Sequence, residues 1–203
     1  MRIKIFVLLC LTAIMQFTGV TPLKASHYYY KQLSLKDGVT SAVRCILTDK
    51  QGFVWIGTKA GISRYDGHEL KKYVHSPNNP HSIPNNLIHQ IAEDEMSNIW
   101  ILTDKGIARY QRQSDDFFLP TDEKGNPIIA YSTCLTKDGV LFGSKDKVYF
   151  YSYRDSSLRL LQKLNKGSNF NISLLSLWNE HTVLCCSRAV EHAEHIALIG
   201  HLH

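Results

Sequence analysis

From residue 43 the apolar positions of the chain fall into a short, regular pattern. Val43, Cys45 and Leu47 alternate with their neighbours, as in a strand with one buried face. Asp49-Lys50-Gln51-Gly52 then has turn composition, because Asp bonds backbone amides and Gly accepts positive φ. Phe53-Val54-Trp55-Ile56 is β-branched and aromatic, which suits a buried strand. Gly57 to Gly61 reads as a second turn, and Ile62 to Tyr65 alternates again. Asp66-Gly67 is a hairpin signal, and Glu69 to Val74 supplies an outer strand. The pattern predicts four short strands in about 45 residues, the size of one β-propeller blade.

The same pattern returns without a gap. Asp49 maps to Asp94, Trp55 to Trp100, Thr58 to Thr103, Gly61 to Gly106, Arg64 to Arg109 and Tyr65 to Tyr110, each with an offset of 45. In the second copy Ser97-Asn98 stands at the turn glycine, with Asn98 expected to take the left-handed conformation. Leu102 replaces Gly57, which predicts a different bend there. A looser third copy runs from Leu135 through Gly139 to Ser144, with Phe142 near the tryptophan position. A degenerate fourth starts near Ile172 and includes Val183 to Ser187. The expected fold is all-β, a partial β-propeller of three to four blades of four antiparallel strands. The blades fall at about 41–85, 86–130, 131–170 and 171–203. Between the first two repeats, His75 to Asn86 is rich in Pro and Asn and predicts an irregular surface loop.

Composition narrows the surroundings of this domain. The 203 residues are 44% hydrophobic and 20% charged, in the globular range. Formal charge is +5, but residues 1–25 contribute Arg2, Lys4 and Lys24 with no acid, leaving 20 basic and 18 acidic residues. That balance of +2 argues against nucleic-acid contact. Arg2 and Lys4 followed by the apolar run Ile5 to Phe17 read as a signal peptide over 1–25, ending at Ala25. An uncleaved anchor is the alternative, although the run is short for a membrane span of about 20 residues. Cys10 lies inside the apolar run, too early for a lipid attachment site. Cys45, Cys134, Cys185 and Cys186 remain in an exported chain, and their spacing suggests small apolar side chains on strands rather than a disulfide framework.

Candidate chemistry is sparse. Trp55 and Trp100 could stack on sugars, but their repeated place on apolar strands assigns them to the space between blades. Asp49 and Asp94 could form an acid–base pair for hydrolysis, yet a residue present once per blade is architectural, and both read as turn caps. Arg64 and Arg109 read as groups that satisfy carbonyls or cover an aromatic edge, with ligand binding the alternative. His192 and His195, with Glu191, Glu194, His201 and His203, resemble a metal cluster and could share a helix face, but the spacing is not His-Glu-x-x-His. No phosphate loop, nucleophile elbow or Cys-x-x-Cys pair is present. The reading therefore assigns no catalytic residue, no metal ligand and no cofactor, and leaves the ligand-binding residues unidentified.

The run from Asp49 to Gly67, the linker Ser76-Pro77-Asn78-Asn79-Pro80-His81-Ser82-Ile83 and the segment from Asp94 through Trp100 to Gly106 resemble the two-component regulator propeller repeat. Tyr30 to Gly38 is similar to that family's opening segment. The resemblance implies the periplasmic sensor region of a Bacteroidetes hybrid two-component system, which senses oligosaccharides and regulates polysaccharide utilisation. It implies an oligosaccharide ligand in the complete sensor, a homodimeric parent, and contact with the membrane only through a downstream helix. Kinase and DNA-binding regulator segments of such proteins are absent from this sequence, so no enzymatic activity is assigned to it. A closed seven-bladed ring needs about 315 residues at this period. The chain therefore reads as truncated, with Arg188 to His203 the product of a truncated or frameshifted gene and the uncovered sheet faces prone to aggregation. Two other readings remain. One is a propeller glycosidase or lyase, although the Asp-x-x-Gly-x-x-Trp spacing is one residue longer than the aspartate box of sialidase propellers. The other is a non-enzymatic interaction scaffold.

Overall fold

The computed structural model describes residues 41–164, 172–179, 182–188 and 194–200. The expected signal peptide, the opening segment before residue 41, and His192, His201 and His203 lie outside the described residues. So do the side chains of β15, His195 included.

No helix occurs among the described residues. Three four-stranded antiparallel sheets follow one another in chain order: β1 (Val43–Thr48) to β4 (Leu70–Tyr73), β5 (Ile88–Glu93) to β8 (Asp116–Phe118), and β9 (Ser132–Leu135) to β12 (Leu158–Lys163). Their middle strands are β2 (Val54–Thr58) and β3 (Gly61–Tyr65), β6 (Ile99–Thr103) and β7 (Gly106–Gln111), and β10 (Gly139–Gly143) and β11 (Lys147–Ser152). A fourth sheet holds β13 (Ile172–Asn179), β14 (Thr182–Arg188) and β15 (Glu194–Gly200). Each strand pairs with the next in sequence, so every blade is a meander. The first strands of neighbouring sheets approach one another, β1 against β5 and β9 against β13, which marks their side of the sheets as the axial one. This is a partial β-propeller.

Burial explains why the strands read as apolar on both faces. An inner sheet of a propeller is covered on each side by a neighbouring blade. Trp55 and Ile62 from the first sheet meet Ile91, Ile99, Ile101, Ala108, Tyr110 and Phe117 from the second. The opposite face of the second sheet sends Trp100, Leu102 and Ile107 against Val140, Phe142, Tyr149 and Tyr151 of the third. Leu141, Val148 and Phe150 of the third then meet Ile172, Leu175, Val183 and Cys185 of the fourth.

Strand register and backbone geometry correct five sequence expectations. Phe142 is not at the tryptophan position. Val140 pairs with Tyr151 as Val54 pairs with Tyr65, so Leu141 occupies the Trp55 position and Phe142 faces the other way, against Trp100. The third β1–β2-type turn is one residue shorter, which hid this shift from a fixed offset. Gly57 is not in a turn but inside β2, where a Cβ would lie 2.5 Å from Cys45 Sγ and 2.8 Å from Ile88 Cγ2. Gly143 does the same for Ile172, at 2.6 Å. Leu102 changes no bend. It sits in the fourth position of β6, in the same core cluster as Ala130, which stands in the third blade where Ile88 and Ile172 stand in theirs. A large residue on one blade and a small one on the next exchange places. At the β5–β6 turn, Ser97 rather than Asn98 takes positive φ (61°), as Gly52 does at 87°. Finally, His195 belongs to a strand: β15 pairs with β14 throughout, His195 opposite Ser187, so no helix face joins it to His192.

Candidate functional site

Polar groups between the first three sheets form a repeated latch. The Asp49 carboxylate accepts hydrogen bonds from Gln51 N (3.0 Å) and Phe53 N (2.9 Å), which closes the β1–β2 turn. Its second oxygen accepts Trp55 Nε1 at 3.0 Å. Asp94 does the same with Asn98 N at 2.8 Å and Trp100 Nε1 at 2.7 Å. Both tryptophans are fully buried. Each indole face contacts an aromatic ring of the next blade, Trp55 with Tyr110 and Trp100 with Tyr151, both at 4.8 Å between centroids. No ring face is left for a sugar.

The next blade reaches back to the same carboxylate. Arg112 Nη2 donates to Asp49 Oδ2 at 3.0 Å, and its other nitrogens donate to Gln51 Oε1 and Ser97 O. Glu93 lies beside it, 3.6 Å from Nη2, and accepts Lys50 N at 2.8 Å. Burial alone would raise the Asp49 carboxyl, but hydrogen bonds from Trp55 and Arg112 outweigh it and hold the group below the usual carboxylate range. Tyr153 follows the third strand of its blade as Arg112 follows its own. Burial and the neighbouring Asp94 charge push its hydroxyl upward. An aspartate so fully engaged, and needed charged, is poorly suited to proton transfer.

Arg64 and Arg109 join the blades at the outer side. Arg64 Nη1 donates to the Tyr110 hydroxyl, and Arg109 Nη1 to the Tyr151 hydroxyl at 2.7 Å. The partners are phenols of the next blade rather than carbonyls. Both guanidiniums also lie over rings, Arg64 over Phe53 at 4.9 Å and Arg109 over Phe118 at 5.0 Å. In the first seam a hub forms around Asp115, which has positive φ (55°). It accepts hydrogen bonds from Tyr73 (2.6 Å), Tyr110 (2.5 Å) and Lys71. Burial would raise the Asp115 carboxyl, but Lys71, Tyr110 and Tyr73 hold it down at about 2.

A second polar group lies at the other end of the strands, beside the β6–β7 turn. His89 Nε2 and Asp104 Oδ1 are 2.5 Å apart, and the Tyr131 ring of the third blade lies 6.1 Å from the His89 ring. The loop from Val74 to Leu87 is anchored nearby. Ile83 is buried in the core of the first seam, Gly61 N donates to Asn86 O at 2.8 Å, and Phe117 N donates to His81 O at 3.0 Å. Sequence reasoning did not single out His89, Asp104, Tyr131, Arg112 or Asp115. His89 does stand 45 residues after Arg44, so the repeat register held that signal.

All four cysteines of β1, β9 and β14 are free thiols. Burial and the neighbouring Cys186 push the Cys185 thiol up to about 12. Among the described residues no group of three His, Cys, Asp or Glu side chains is placed to hold a metal.

These features define a β-propeller segment whose seams are built from repeated Asp, Trp and Arg positions. Residues 37–60 match the two component regulator propeller family. Histidine kinase P4 of Formosa agariphila is 37% identical over 59 residues, covering 29% of this chain and 4% of that protein. The extracellular domain of a hybrid two component system of B. thetaiotaomicron shares the fold at a TM-score of 0.67 and 17% identity, over 85% of this chain and 26% of that one. A second such domain from the same organism superposes at 0.57 with 22% identity, over 76% of this chain and 20% of the other. The chain thus spans a small part of the length of the relatives it matches.

Proposed function

We propose that this chain is a segment of the extracytoplasmic, ligand-sensing region of a hybrid two-component sensor, that its ligand is an oligosaccharide, and that it acts without catalysis. The family match over residues 37–60 carries the reading, because the same repeat recurs through the following blades in register. The 37% identity to a histidine kinase points the same way. So does the likeness in fold to extracellular domains of two-component systems. The carboxylates most available to an enzyme reading, Asp49 and Asp94, are tied to turn amides and indoles, which favours binding over hydrolysis. In this reading the chain lies in the periplasm, its parent signals as a homodimer, and the output is control of polysaccharide utilisation.

Calorimetric titration of the sensor's complete extracytoplasmic region with a panel of oligosaccharides tests the proposal. One saccharide class is expected to give saturable heat while reducing ends remain constant over hours. Uniform absence of binding overturns the carbohydrate reading, and release of new reducing ends overturns the non-catalytic one.

A further inference from the structure

The axial strands carry an irregularity that recurs at one position. In β1 the register skips from Val43 to Cys45, in β5 from Ile88 to Gln90, and in β13 from Ile172 to Leu174. The extra residues are Arg44, His89 and Ser173. In the third blade Ser132 pairs with Gly143 as Cys45 pairs with Gly57, so Tyr131 stands at the same place, just before β9. A bulged residue has no partner across the sheet and is turned out of the ladder, which is why bulges gather where side chains serve binding.

The chemistry at this position contrasts with that of the seams. Seam positions repeat in residue type: aspartate, tryptophan and arginine in the first two blades. The bulge position repeats in geometry but not in residue type. It presents a guanidinium, an imidazole, a phenol and a hydroxyl in succession. None is in the core: Arg44 and Ser173 are exposed, and His89 and Tyr131 are half-buried. The residues just before them, Val43, Ile88, Ala130 and Ile172, are all apolar. Packing therefore accounts for Ile88, Ala130 and Ile172, which are fully buried, and not for the bulged side chains. His89 is oriented by Asp104, and its ring lies 6.1 Å from that of Tyr131, so the row is continuous between the second and third blades. The β2–β3 and β10–β11 turns beside it carry exposed Lys59 and Lys145, where the second blade has Asp104. The β6–β7 turn also holds Lys105 and the β10–β11 turn Asp146, so Arg44, Lys59, Lys105 and Lys145 outnumber the two carboxylates Asp104 and Asp146, and positive charge predominates.

We propose that Arg44, His89, Tyr131 and Ser173 line a ligand site on the axial side of the blades, and that the site takes an acidic oligosaccharide. The inference rests on the sensing reading above and specifies its site and ligand class. The Tyr131 ring offers a face to sugar C–H groups, Arg44 pairs with a carboxylate or sulfate, and His89 and Ser173 bond hydroxyls.

The test is calorimetric titration of the 203-residue chain with trigalacturonate, a sulfated trisaccharide and uncharged maltotriose, repeated on Tyr131→Ala and Arg44→Ala. Each variant's Tm is measured without ligand. An acidic sugar is expected to bind, uronate or sulfate being distinguished by the first two titrants. Tyr131→Ala is expected to weaken binding roughly tenfold or more, with Tm unchanged. Arg44→Ala should bring the acidic sugar to the level of maltotriose. Acidic-sugar binding undiminished in both variants overturns the site, and a preference for maltotriose overturns the ligand class, while both leave the sensing reading standing. Absence of binding by all three sugars overturns the assigned ligand class, and the titration panel above then decides the sensing reading separately. Should Tyr131→Ala fold poorly, Arg44→Ala alone decides the outcome.

Discussion

The seam between the first and second sheets and the seam between the third and fourth use the same positions with different chemistry. In the first, Asp49, Trp55, Arg64 and Arg112 tie one blade to the next through directed bonds. In the third blade those places hold Thr136, Leu141 and Phe150. Thr136 Oγ1 still closes the turn, through Gly139. Arg159 of the same sheet covers Phe150 at 5.6 Å, and the seam itself is Cys134, Leu141, Val148 and Phe150 against Ile172, Leu175, Val183 and Cys185. Burial of apolar area is enough to hold two sheets together. What the polar latch adds is a fixed relative placement, because charge-assisted bonds lose their value when either partner shifts. The first two seams are therefore locked by side-chain bonds from blade to blade, while among the described residues the third combines apolar packing with bonds at one residue, Ile172, whose carbonyl accepts Ser132 Oγ at 3.0 Å and whose N–H donates to Ser144 O at 3.2 Å.

Truncation of the tryptophans should separate the seams most strongly. Trp55→Ala or Trp100→Ala is expected to cost about 3–5 kcal/mol, and Leu141→Ala, at the same register position, about 2–3 kcal/mol, by urea unfolding. Equal costs would mean that the indoles add nothing beyond side-chain area. Asp49→Ala should cost about 2–3 kcal/mol, since it strips an acceptor from Trp55, two turn amides and Arg112. Thr136→Ala should cost about 1 kcal/mol in the same assay. Arg112→Ala is expected to cost about 1 kcal/mol, because Asp49 keeps its other three bonds.

Acid titration sharpens the contrast further. The folded-state value of about 2 for Asp115 lies below the ordinary 3.8. Its contribution is therefore complete above the ordinary value and is lost as pH falls through the folded one. The stability gap between the parent chain and Asp115→Asn should be constant from pH 7 to 5 and should narrow toward pH 2. A gap independent of pH would remove Asp115 from the seam. The smallest effect concerns the thiols. Timed alkylation followed by mass spectrometry should modify half-exposed Cys45 and Cys186 before buried Cys134 and Cys185; burial pushes the Cys45, Cys134 and Cys185 thiols upward alike, so access sets the order.

The repeat made the first two blades legible because Asp49, Trp55, Arg64 and Tyr65 recur at one offset. It failed in the third blade, where one residue is missing from the turn between Thr136 and Gly139. A single deletion in a strand system of period two turns a seam residue to the opposite face, so Phe142, one residue from the Trp55 position, faces Trp100 rather than the fourth sheet. Gly57 looked like a turn residue because composition cannot distinguish a bend from a close approach by Ile88. Arg112, Asp115 and the bulge row escaped for a different reason. Their partners lie one blade away, and a bulge is a property of pairing that no local pattern contains.

In the proposed division of labour, repeated positions hold the blades and bulged positions meet the ligand. The most direct test is to measure Tm and acidic-oligosaccharide affinity in parallel on Trp55→Phe and Tyr131→Ala. The division predicts a lower Tm with unchanged affinity for the first, and an unchanged Tm with weakened affinity for the second. A Tyr131→Ala chain that melts early yet binds normally, or a Trp55→Phe chain that melts normally yet loses the sugar, would contradict it.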